Sequence, residues 1–185
     1  MCVILLVMGV LHKTKTYLIG HMQYSDGRGW RADITPELAQ MGITTFDPYH
    51  KPFIDDTDED ETARTKLRDW MSAGKYDEVA ARMKLVRNFD LRLVDLSDFL
   101  IAHIHPAVAS WGSAEEIVTA VRSKKPVFIA VEGGKKATPL WILGMVPHKY
   151  IYNNVEEIVN VLKKIDSGEK IIDNDRWKLL KEEYR

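Results

Sequence analysis

The sequence predicts an α/β fold with a five-stranded parallel sheet. Short runs rich in β-branched and aromatic residues alternate along the chain with stretches whose apolar residues recur at helical spacing. The run from Phe99 to Ile104 is almost continuously apolar, as is typical of a central strand buried on both faces. Parallel strands need crossover helices on the faces of the sheet, so we expect a flavodoxin-like three-layer sandwich.

The same patterns place the individual strands and helices. The first helix is expected to stop at Gly42, because glycine readily adopts the left-handed conformation that ends helices. The helix over 76–97 is supported by Val79, Val86 and Leu93 at helical spacing. The predicted strands cover 16–20, 43–46, 99–104, 126–131 and 149–152, and the predicted helices cover 30–41, 76–97, 112–123, 155–165 and 175–183.

We expect one domain over residues 16–185, preceded by an apolar N-terminal extension over residues 1–15. Residues 49–75, which include a run of acidic residues, predict a long irregular insertion, of the kind that often forms a lid or a binding loop. The acidic run 55–61 within this insertion is predicted to be a solvated surface rather than a cation site. The apolar segment 139–143 fits either a core helix or an interface between subunits.

Composition and charge exclude several functional classes. The chain has 185 residues with 26 basic and 27 acidic side chains, so it lacks the basic excess of proteins that bind long nucleic acids. Its single cysteine, Cys2, cannot form an intrachain disulfide, which fits a reducing compartment. The apolar start, residues 1–11, is shorter than the roughly 20 residues of a membrane span and lacks a signal-peptide pattern. We therefore expect a cytoplasmic protein without a membrane anchor.

Ligands of doubly wound sheets bind beyond the carboxyl ends of the strands, so polar residues there are candidates for a site. Gly20 ends the first strand, where a glycine permits a ligand to approach the backbone closely. His103 lies at the tip of the third strand and forms a His-x-His pair with His105, but a third metal ligand at suitable spacing is missing. The sequence also lacks the GxGxxG and GxxxxGK[ST] fingerprints of dinucleotide and P-loop sites.

A second candidate lies where the third strand leads into the next helix. Ser110, Gly112 and Ser113 would offer backbone N–H groups and the positive end of the helix dipole to an anion. Glu116 lies beside the predicted buried face of that helix, and Glu115, about 100° away, points outward. From the residues alone, Glu116 is either a reactive carboxylate at the strand tips or a first-turn acid that stabilises the helix dipole.

A set of motifs in a fixed order gives residues 16–165 a resemblance to a known family. The motifs are Tyr17-Leu18-Ile19-Gly20, Trp30-Arg31, Phe46-Asp47-Pro48, Asp90-Leu91 with Ser97-Asp98, and Gly112-Ser113-Ala114-Glu115-Glu116. In this order they resemble the nucleoside 2-deoxyribosyltransferase family, whose wider superfamily includes N-glycosidases that act on nucleoside 5′-monophosphates. The resemblance implies an enzyme that cleaves an N-glycosidic bond and transfers 2-deoxyribose between nucleobases through a covalent glycosyl-glutamate intermediate.

The resemblance also implies roles for individual residues. Glu116 would be the nucleophile, Tyr17 would orient it by a hydrogen bond, and Asp90 would contact the nucleoside and assist protonation of the leaving base. Substrate-binding residues are expected at the strand ends and at the start of the helix that carries Glu116. They are Gly20, His21, Gln23, Arg31, Asp47, His103, Ser110, Gly112 and Ser113.

One departure from the family pattern leaves the reaction open. Many of the transferases carry Asp six residues before the nucleophile, where this chain has Ser110. A serine there resembles the monophosphate N-glycosidases, in which it helps to hold the 5′-phosphate, so hydrolysis of a nucleoside 5′-monophosphate is the alternative. A third reading is a nucleotide-binding module without catalysis, because one fold can serve unrelated functions.

The partners that the resemblance implies are small molecules. They are a nucleoside or nucleotide and a free nucleobase, as in nucleotide salvage. The resemblance implies no cofactor and no metal, and we expect neither long nucleic acid nor a membrane among the partners. It also implies a homo-oligomer, dimeric or larger, in which neighbouring subunits complete each other's sites.

Overall fold

The computed structural model describes residues 9–22, 26–51, 61–108 and 110–170. The strands are β1 (Lys15–Gly20), β2 (Thr44–Phe46), β3 (Phe99–Ile104), β4 (Val127–Val131) and β5 (Ile151–Tyr152). They form a five-stranded, all-parallel sheet in the order β2-β1-β3-β4-β5. This is the strand order of a flavodoxin-like doubly wound fold, and it confirms the predicted fold class.

Helices cover both faces of this sheet. They are α1 (Asp26–Gln40), α2 (Glu61–Ser72), α3 (Tyr76–Leu96), α4 (Trp111–Arg122), α5 (Leu140–Met145) and α6 (Val155–Asp166). Helix α1 packs beside α6, α3 packs beside α4, and α2 lies against α3. Tyr17 of β1 reaches α4, whereas Gly20, three residues later and therefore on the opposite face, lies against α1. The layers are thus α1 and α6, the sheet, and α3 and α4.

The core centres on β3 and β4. Residues Phe99, Leu100 and Ile101 of β3 are fully buried, and the rings of Phe99 and Phe128 meet edge to face with centroids 5.9 Å apart. In the parallel register Tyr17 lies opposite Leu100, which brings the carboxyl ends of β1 and β3 to the same edge of the sheet. The buried strands therefore hold that edge in place, and it is where polar residues were predicted to gather.

Helix α1 begins earlier than the sequence predicts. Residues 26–29 were assigned to a loop because they include two glycines, yet α1 starts at Asp26. The Arg31 guanidinium donates a hydrogen bond to the Gly27 carbonyl and thereby holds the first turn. A side chain at Gly27 would place its Cβ only 2.6 Å from the His21 carbonyl oxygen, so glycine serves close packing here rather than a turn.

The predicted irregular insertion over 49–75 contains a helix, and the expectation of an irregular segment was wrong for residues 61–72. Helix α2 has no buried residue, although its apolar residues Ala63, Leu67, Trp70 and Met71 recur at helical spacing. It is held by its packing against α3. This correction matters for function because α2 contributes a side chain to the cavity described below.

Several predictions concern residues outside the described ranges: the apolar residues 1–8, Gln23, the acidic run up to residue 60 and the helix over 175–183. Segment 139–143, left open between core and interface, forms part of α5, in which Ile142 is buried while Leu140 and Trp141 are 85% and 81% exposed. Among the described helices, none combines the length and apolar character needed to cross a membrane. The other predicted strand and helix boundaries differ from the structure by a few residues at most.

Candidate active site

A cavity of about 500 Å³ opens at the carboxyl edge of the sheet, between β1, α3 and the start of α4. Its walls come from segments that are far apart in the sequence. Eight of the predicted site residues line it: Tyr17, Gly20, His21, Asp90, Ser110, Gly112, Ser113 and Glu116. Helix α2 and the loop after β2 complete the wall with Arg64 and Pro48.

Glu116 is the most buried carboxylate in this cavity wall. It lies on the first turns of α4 with 8% of its surface exposed, and the Tyr17 hydroxyl donates a hydrogen bond of 3.1 Å to its Oε1. Tyr17 is itself 1% exposed, so the bond lies away from bulk water. A buried carboxylate needs such donors, and the rigid strand under Tyr17 fixes the direction from which this one comes.

Asp90 contributes a second carboxylate, from α3. The Lys51 ammonium lies 2.8 Å from Asp90 Oδ1, and the two side chains are only 3% and 13% exposed. Lys51 belongs to the loop after β2 and also lies 6.0 Å from the centre of the Phe89 ring. The cavity thus presents one carboxylate beside a phenol and a second beside an ammonium group.

The start of α4 forms another part of the wall. Ser110 is the N-cap of this helix, and its Oγ accepts a hydrogen bond from the Ser113 backbone N–H at 3.3 Å. The two serine hydroxyls are 2.8 Å apart. This arrangement is a normal helix cap, and it places two hydroxyl groups beside the free N–H groups of the first turn. Trp111, next in the chain, lines the cavity although 87% of its surface is exposed.

An ion pair joins the two helices that carry the cavity carboxylates. Arg87 of α3 donates from Nε to Glu115 Oε2 at 2.7 Å, and its Nη2 donates to Glu115 Oε1. This bidentate pairing lowers the pKa of the Glu115 carboxyl and raises that of the Arg87 guanidinium. Glu115 was predicted to point outward; its side chain is 39% exposed, but together with Arg87 it lines the cavity. Arg87 was not identified from the sequence.

The structure does not bring Arg31 to the cavity wall. The Arg31 side chain is 0% exposed and hydrogen-bonds the carbonyls of Leu18, Gly20 and Gly27. Its Nε lies 3.8 Å from Asp47 Oδ1, and burial lowers the pKa of the guanidinium. Arg31 therefore links the end of β1 to the first turn of α1 and does not face the cavity. Asp47 also lies outside the described cavity wall.

His103 likewise lies behind the cavity rather than in its wall. Its ring packs edge to face against Trp30 with centroids 5.6 Å apart, and its Nε2 lies 3.3 Å from Glu132 Oε2. The His21 and His105 rings are neighbours, 5.7 Å apart. Burial lowers the pKa of the His103 imidazole, and Glu132 opposes that effect. Among the described residues, no group of three or more His, Cys, Asp or Glu side chains is placed to hold a metal ion.

Sequence reasoning missed three basic residues of this region: Lys51, Arg64 and Arg87. The first two lie in or beside the insertion that was predicted to be irregular, where no pattern indicated which residues point inward. Arg87 lies three residues before Asp90 on α3, so its place on the same helix face was the one available signal. What they add is positive charge close to the cavity carboxylates.

Comparison with known proteins identifies relatives of the fold. The chain is similar to the 2-deoxyribosyltransferase from the psychrotolerant bacterium Bacillus psychrosaccharolyticus, with 17% sequence identity and a TM-score of 0.52 over 79% of this chain and 90% of that one. It is also similar to a CMP N-glycosidase of Clostridium botulinum, with 16% identity and a TM-score of 0.46 over 80% and 98% of the two chains. No family model and no curated protein matches the sequence. The first similarity confirms the fold that the sequence motifs imply.

Proposed function

We propose that this protein is an enzyme that cleaves the N-glycosidic bond of a nucleoside and transfers the 2-deoxyribosyl group to a second nucleobase. The observation that carries the proposal is the hydrogen bond from Tyr17 to Glu116 inside a cavity that also contains Asp90. Buried carboxylates at a cavity wall are the groups that glycosyl transfer uses for attack and for proton transfer. The 2-deoxyribosyltransferase that shares the fold performs chemistry of this class.

In the first half-reaction a Glu116 oxygen attacks the anomeric carbon of the sugar. The carbon–nitrogen bond to the base breaks as the carbon–oxygen bond to Glu116 forms, and the base leaves with the electron pair and takes up a proton. In the second half-reaction a nitrogen of the incoming base attacks the same carbon and loses its proton, as the new carbon–nitrogen bond forms and the carbon–oxygen bond to Glu116 breaks to release the carboxylate. Two displacements return the sugar to its original configuration.

Tyr17 and Asp90 have separate tasks in this scheme. Tyr17 donates to Glu116 Oε1 and so keeps the carboxylate in one orientation for attack. Asp90, with the Lys51 ammonium 2.8 Å away, contacts the nucleoside and assists transfer of the proton that the leaving base requires. The Glu116 and Asp90 carboxylates sit on different helices, α4 and α3, which allows them to approach the scissile bond from different sides.

Hydrolysis of a nucleoside 5′-monophosphate is the second candidate, in which water replaces the incoming base. The observation that favours it is the pairing of Ser110 and Ser113 at the start of α4 within a cavity that also carries Arg64. Hydroxyl groups, helix N–H groups and guanidinium groups are all suited to a phosphate. A binding module that never releases a base remains the alternative from another functional class.

A base-exchange experiment tests these proposals. The protein is incubated with 2′-deoxynucleosides and with their 5′-monophosphates, each with and without a second free base, and all bases and nucleosides are separated by chromatography. A new nucleoside that appears only when the second base is present supports transfer. Free base from monophosphates without an exchange product supports hydrolysis, and binding without any base release supports the module.

Glu116→Gln is the variant that tests the nucleophile, and Glu115→Gln is its matched control. The two changes are identical in chemistry and adjacent in sequence, but the Glu115 carboxylate is held by Arg87, whereas that of Glu116 accepts a hydrogen bond from Tyr17. We expect Glu116→Gln to lower kcat by roughly a thousandfold or more, as loss of a nucleophile does, and Glu115→Gln to keep most of the activity. Equal activity of Glu116→Gln and the wild type would contradict the proposal.

A further inference from the structure

Five charged side chains line the cavity, and most of them already have a partner. Arg87 is held by the two oxygens of Glu115. Asp90 is held by Lys51 at 2.8 Å, and Glu116 accepts a hydrogen bond from the Tyr17 hydroxyl. The fifth charged group is the guanidinium of Arg64 on α2.

Arg64 is the cavity cation with the weakest internal partner. Its side chain is only 21% exposed, yet its ion pair is with Glu61 Oε2 at 3.9 Å, beyond hydrogen-bond length. Glu61 is 72% exposed and instead accepts a hydrogen bond from Arg68 Nη1 at 3.2 Å. Within the described part of the chain, no hydrogen-bond acceptor meets the Arg64 guanidinium.

The guanidinium of a largely buried arginine side chain is stabilised when an anion balances its charge and fills its hydrogen-bond donors. A neutral carbonyl of a nucleobase would accept hydrogen bonds but would leave the charge unbalanced. A phosphoryl group does both, because its oxygens match the planar fork of the guanidinium in a bidentate contact. The hydroxyl groups of Ser110 and Ser113 lie in the same cavity wall and add donors for the same group.

We infer that Arg64 is the residue that selects a phosphorylated substrate, by binding the phosphoryl group of a nucleoside 5′-monophosphate in the cavity. The inference rests on the proposed cleavage of an N-glycosidic bond for the identity of the rest of the substrate, and it favours the second candidate substrate, the 5′-monophosphate, over the nucleoside. The inference assigns a function to α2. This helix has no buried residue, but it places the Arg64 guanidinium in the wall of the cavity. Arg87 is not assigned this role because Glu115 already occupies its donors.

The kinetic test compares Arg64→Met with Arg68→Met. Both changes remove one arginine from α2, but Arg68 is 68% exposed and lies outside the cavity wall. We expect Arg64→Met to lower kcat/KM for 5′-monophosphates by about tenfold to a hundredfold, the effect of losing hydrogen bonds to a charged group. The values for unphosphorylated nucleosides should stay within about twofold, as should every value of Arg68→Met.

The Arg64→Lys variant tests whether the planar shape of the guanidinium matters in addition to its charge. Lysine keeps the positive charge but lacks the planar fork, so this variant should recover part of the loss for monophosphates. Equal losses for monophosphates and nucleosides in Arg64→Met would overturn the inference, since they would indicate a general disturbance of the cavity. Unchanged values for monophosphates would overturn it as well.

A binding measurement separates this inference from the proposed reaction. Calorimetric titration with a 2′-deoxynucleoside 5′-monophosphate and with the matching nucleoside needs no turnover and is performed on the wild type, Arg64→Met and Arg68→Met. Tighter binding of the monophosphate that is lost only in Arg64→Met supports the inference even if no base is ever released. Failure of the monophosphate to bind the wild type more tightly than the nucleoside overturns it, even if nucleosides are turned over.

Discussion

The contact between Tyr17 and Glu116 is the residue-scale feature on which the proposed chemistry depends. The two residues are 99 positions apart in sequence, and the fold brings the phenol hydroxyl to 3.1 Å from one carboxylate oxygen. Both side chains are buried, so the orientation of the carboxylate is set by packing and by this donor rather than by water. A nucleophile that is already held in one orientation loses little further conformational entropy on reaching the reactive geometry.

Tyr17→Phe removes the donor and keeps the ring. We expect kcat to fall by about tenfold to a hundredfold because the Glu116 carboxylate is less well oriented, and the free energy of unfolding to fall by about 1 kcal/mol. Tyr152→Phe is the control, since it removes another buried hydroxyl, whose burial raises its pKa to about 12, away from the cavity. Steady-state kinetics and thermal unfolding of both variants check the prediction, which fails if the two variants keep equal kcat.

His103 predicts a pH dependence of stability. Burial lowers the pKa of its imidazole, so the unfolded chain takes up a proton at a higher pH than the folded chain does. The stabilising contribution is therefore complete above the ordinary histidine pKa of about 6.5 and is lost as the pH falls toward the lower pKa of the folded state.

Urea unfolding across this pH range tests the His103 prediction. The free energy of unfolding of the wild type should decrease toward acid pH, with His103 contributing at most about 1.4 kcal/mol per pH unit. His103→Gln should show a shallower decrease, because its amide does not titrate. A variant whose profile is as steep as that of the wild type would show that other groups cause the effect.

The sequence motifs predicted some of the residues of the candidate site and did not predict others. The pairing of Tyr17 with Glu116 follows from motifs at a strand and at a helix start, which the parallel register brings together. Lys51 and Arg64 were not predicted, because both belong to segment 49–75, which was expected to be an irregular insertion. Arg31 was predicted at the site and instead bonds backbone carbonyls, a distinction that depends on burial and not on the motif.

At the scale of elements, the position of Asp90 depends on helix α3. The last turn of α3 accepts hydrogen bonds from Lys125, which is distant in the sequence. The Lys125 ammonium donates to the carbonyls of Val94, Asp95 and Ser97 at 2.9, 2.5 and 2.5 Å. The last carbonyls of a helix have no partners within it, and a cation at this end also favours the helix dipole. Lys125 thus connects the start of β4 to the end of the helix that carries Asp90.

Lys125→Met keeps most of the aliphatic stem and removes these three hydrogen bonds. We expect the free energy of unfolding to fall by about 1–3 kcal/mol, since carbonyls at the end of α3 lose a charged donor. Lys136→Met, at an exposed lysine, should change it by less than about 0.5 kcal/mol. Denaturant unfolding of both variants measures this difference, and equal stabilities would contradict the assigned role of Lys125.

The elements differ in how well the sequence predicts them. Strand β3 matches its predicted range because an apolar run between polar residues has one good location in a parallel sheet. Helix α2 was missed because it buries no residue and depends on α3 for its place. The early start of α1 was missed because a hydrogen bond within the helix, from the Arg31 side chain to the Gly27 carbonyl, offsets the low helix propensity of Gly27.

At the scale of the whole molecule, the doubly wound sheet explains why the candidate site lies where it does. Side chains in the middle of the strands are buried, so polar groups collect where strands end and loops begin. The alternation of strands and helices predicts this fold, and the similarity to a solved 2-deoxyribosyltransferase structure confirms the fold. The homo-oligomer that the resemblance implies stays a prediction. Substitution of the exposed apolar residues Leu140 and Trp141 of α5 would test whether they lie in a subunit interface.

Mass spectrometry of the acid-quenched protein after incubation with substrate tests the central claim most directly. The account predicts a protein heavier by one 2-deoxyribosyl group, or by its 5-phosphate ester for a monophosphate substrate, with the added mass on the peptide that contains Glu116. Glu115→Gln should still carry the adduct, and Glu116→Gln should lack it. An adduct on another residue, or base release by Glu116→Gln at the wild-type rate, would contradict the assignment of Glu116 as the nucleophile.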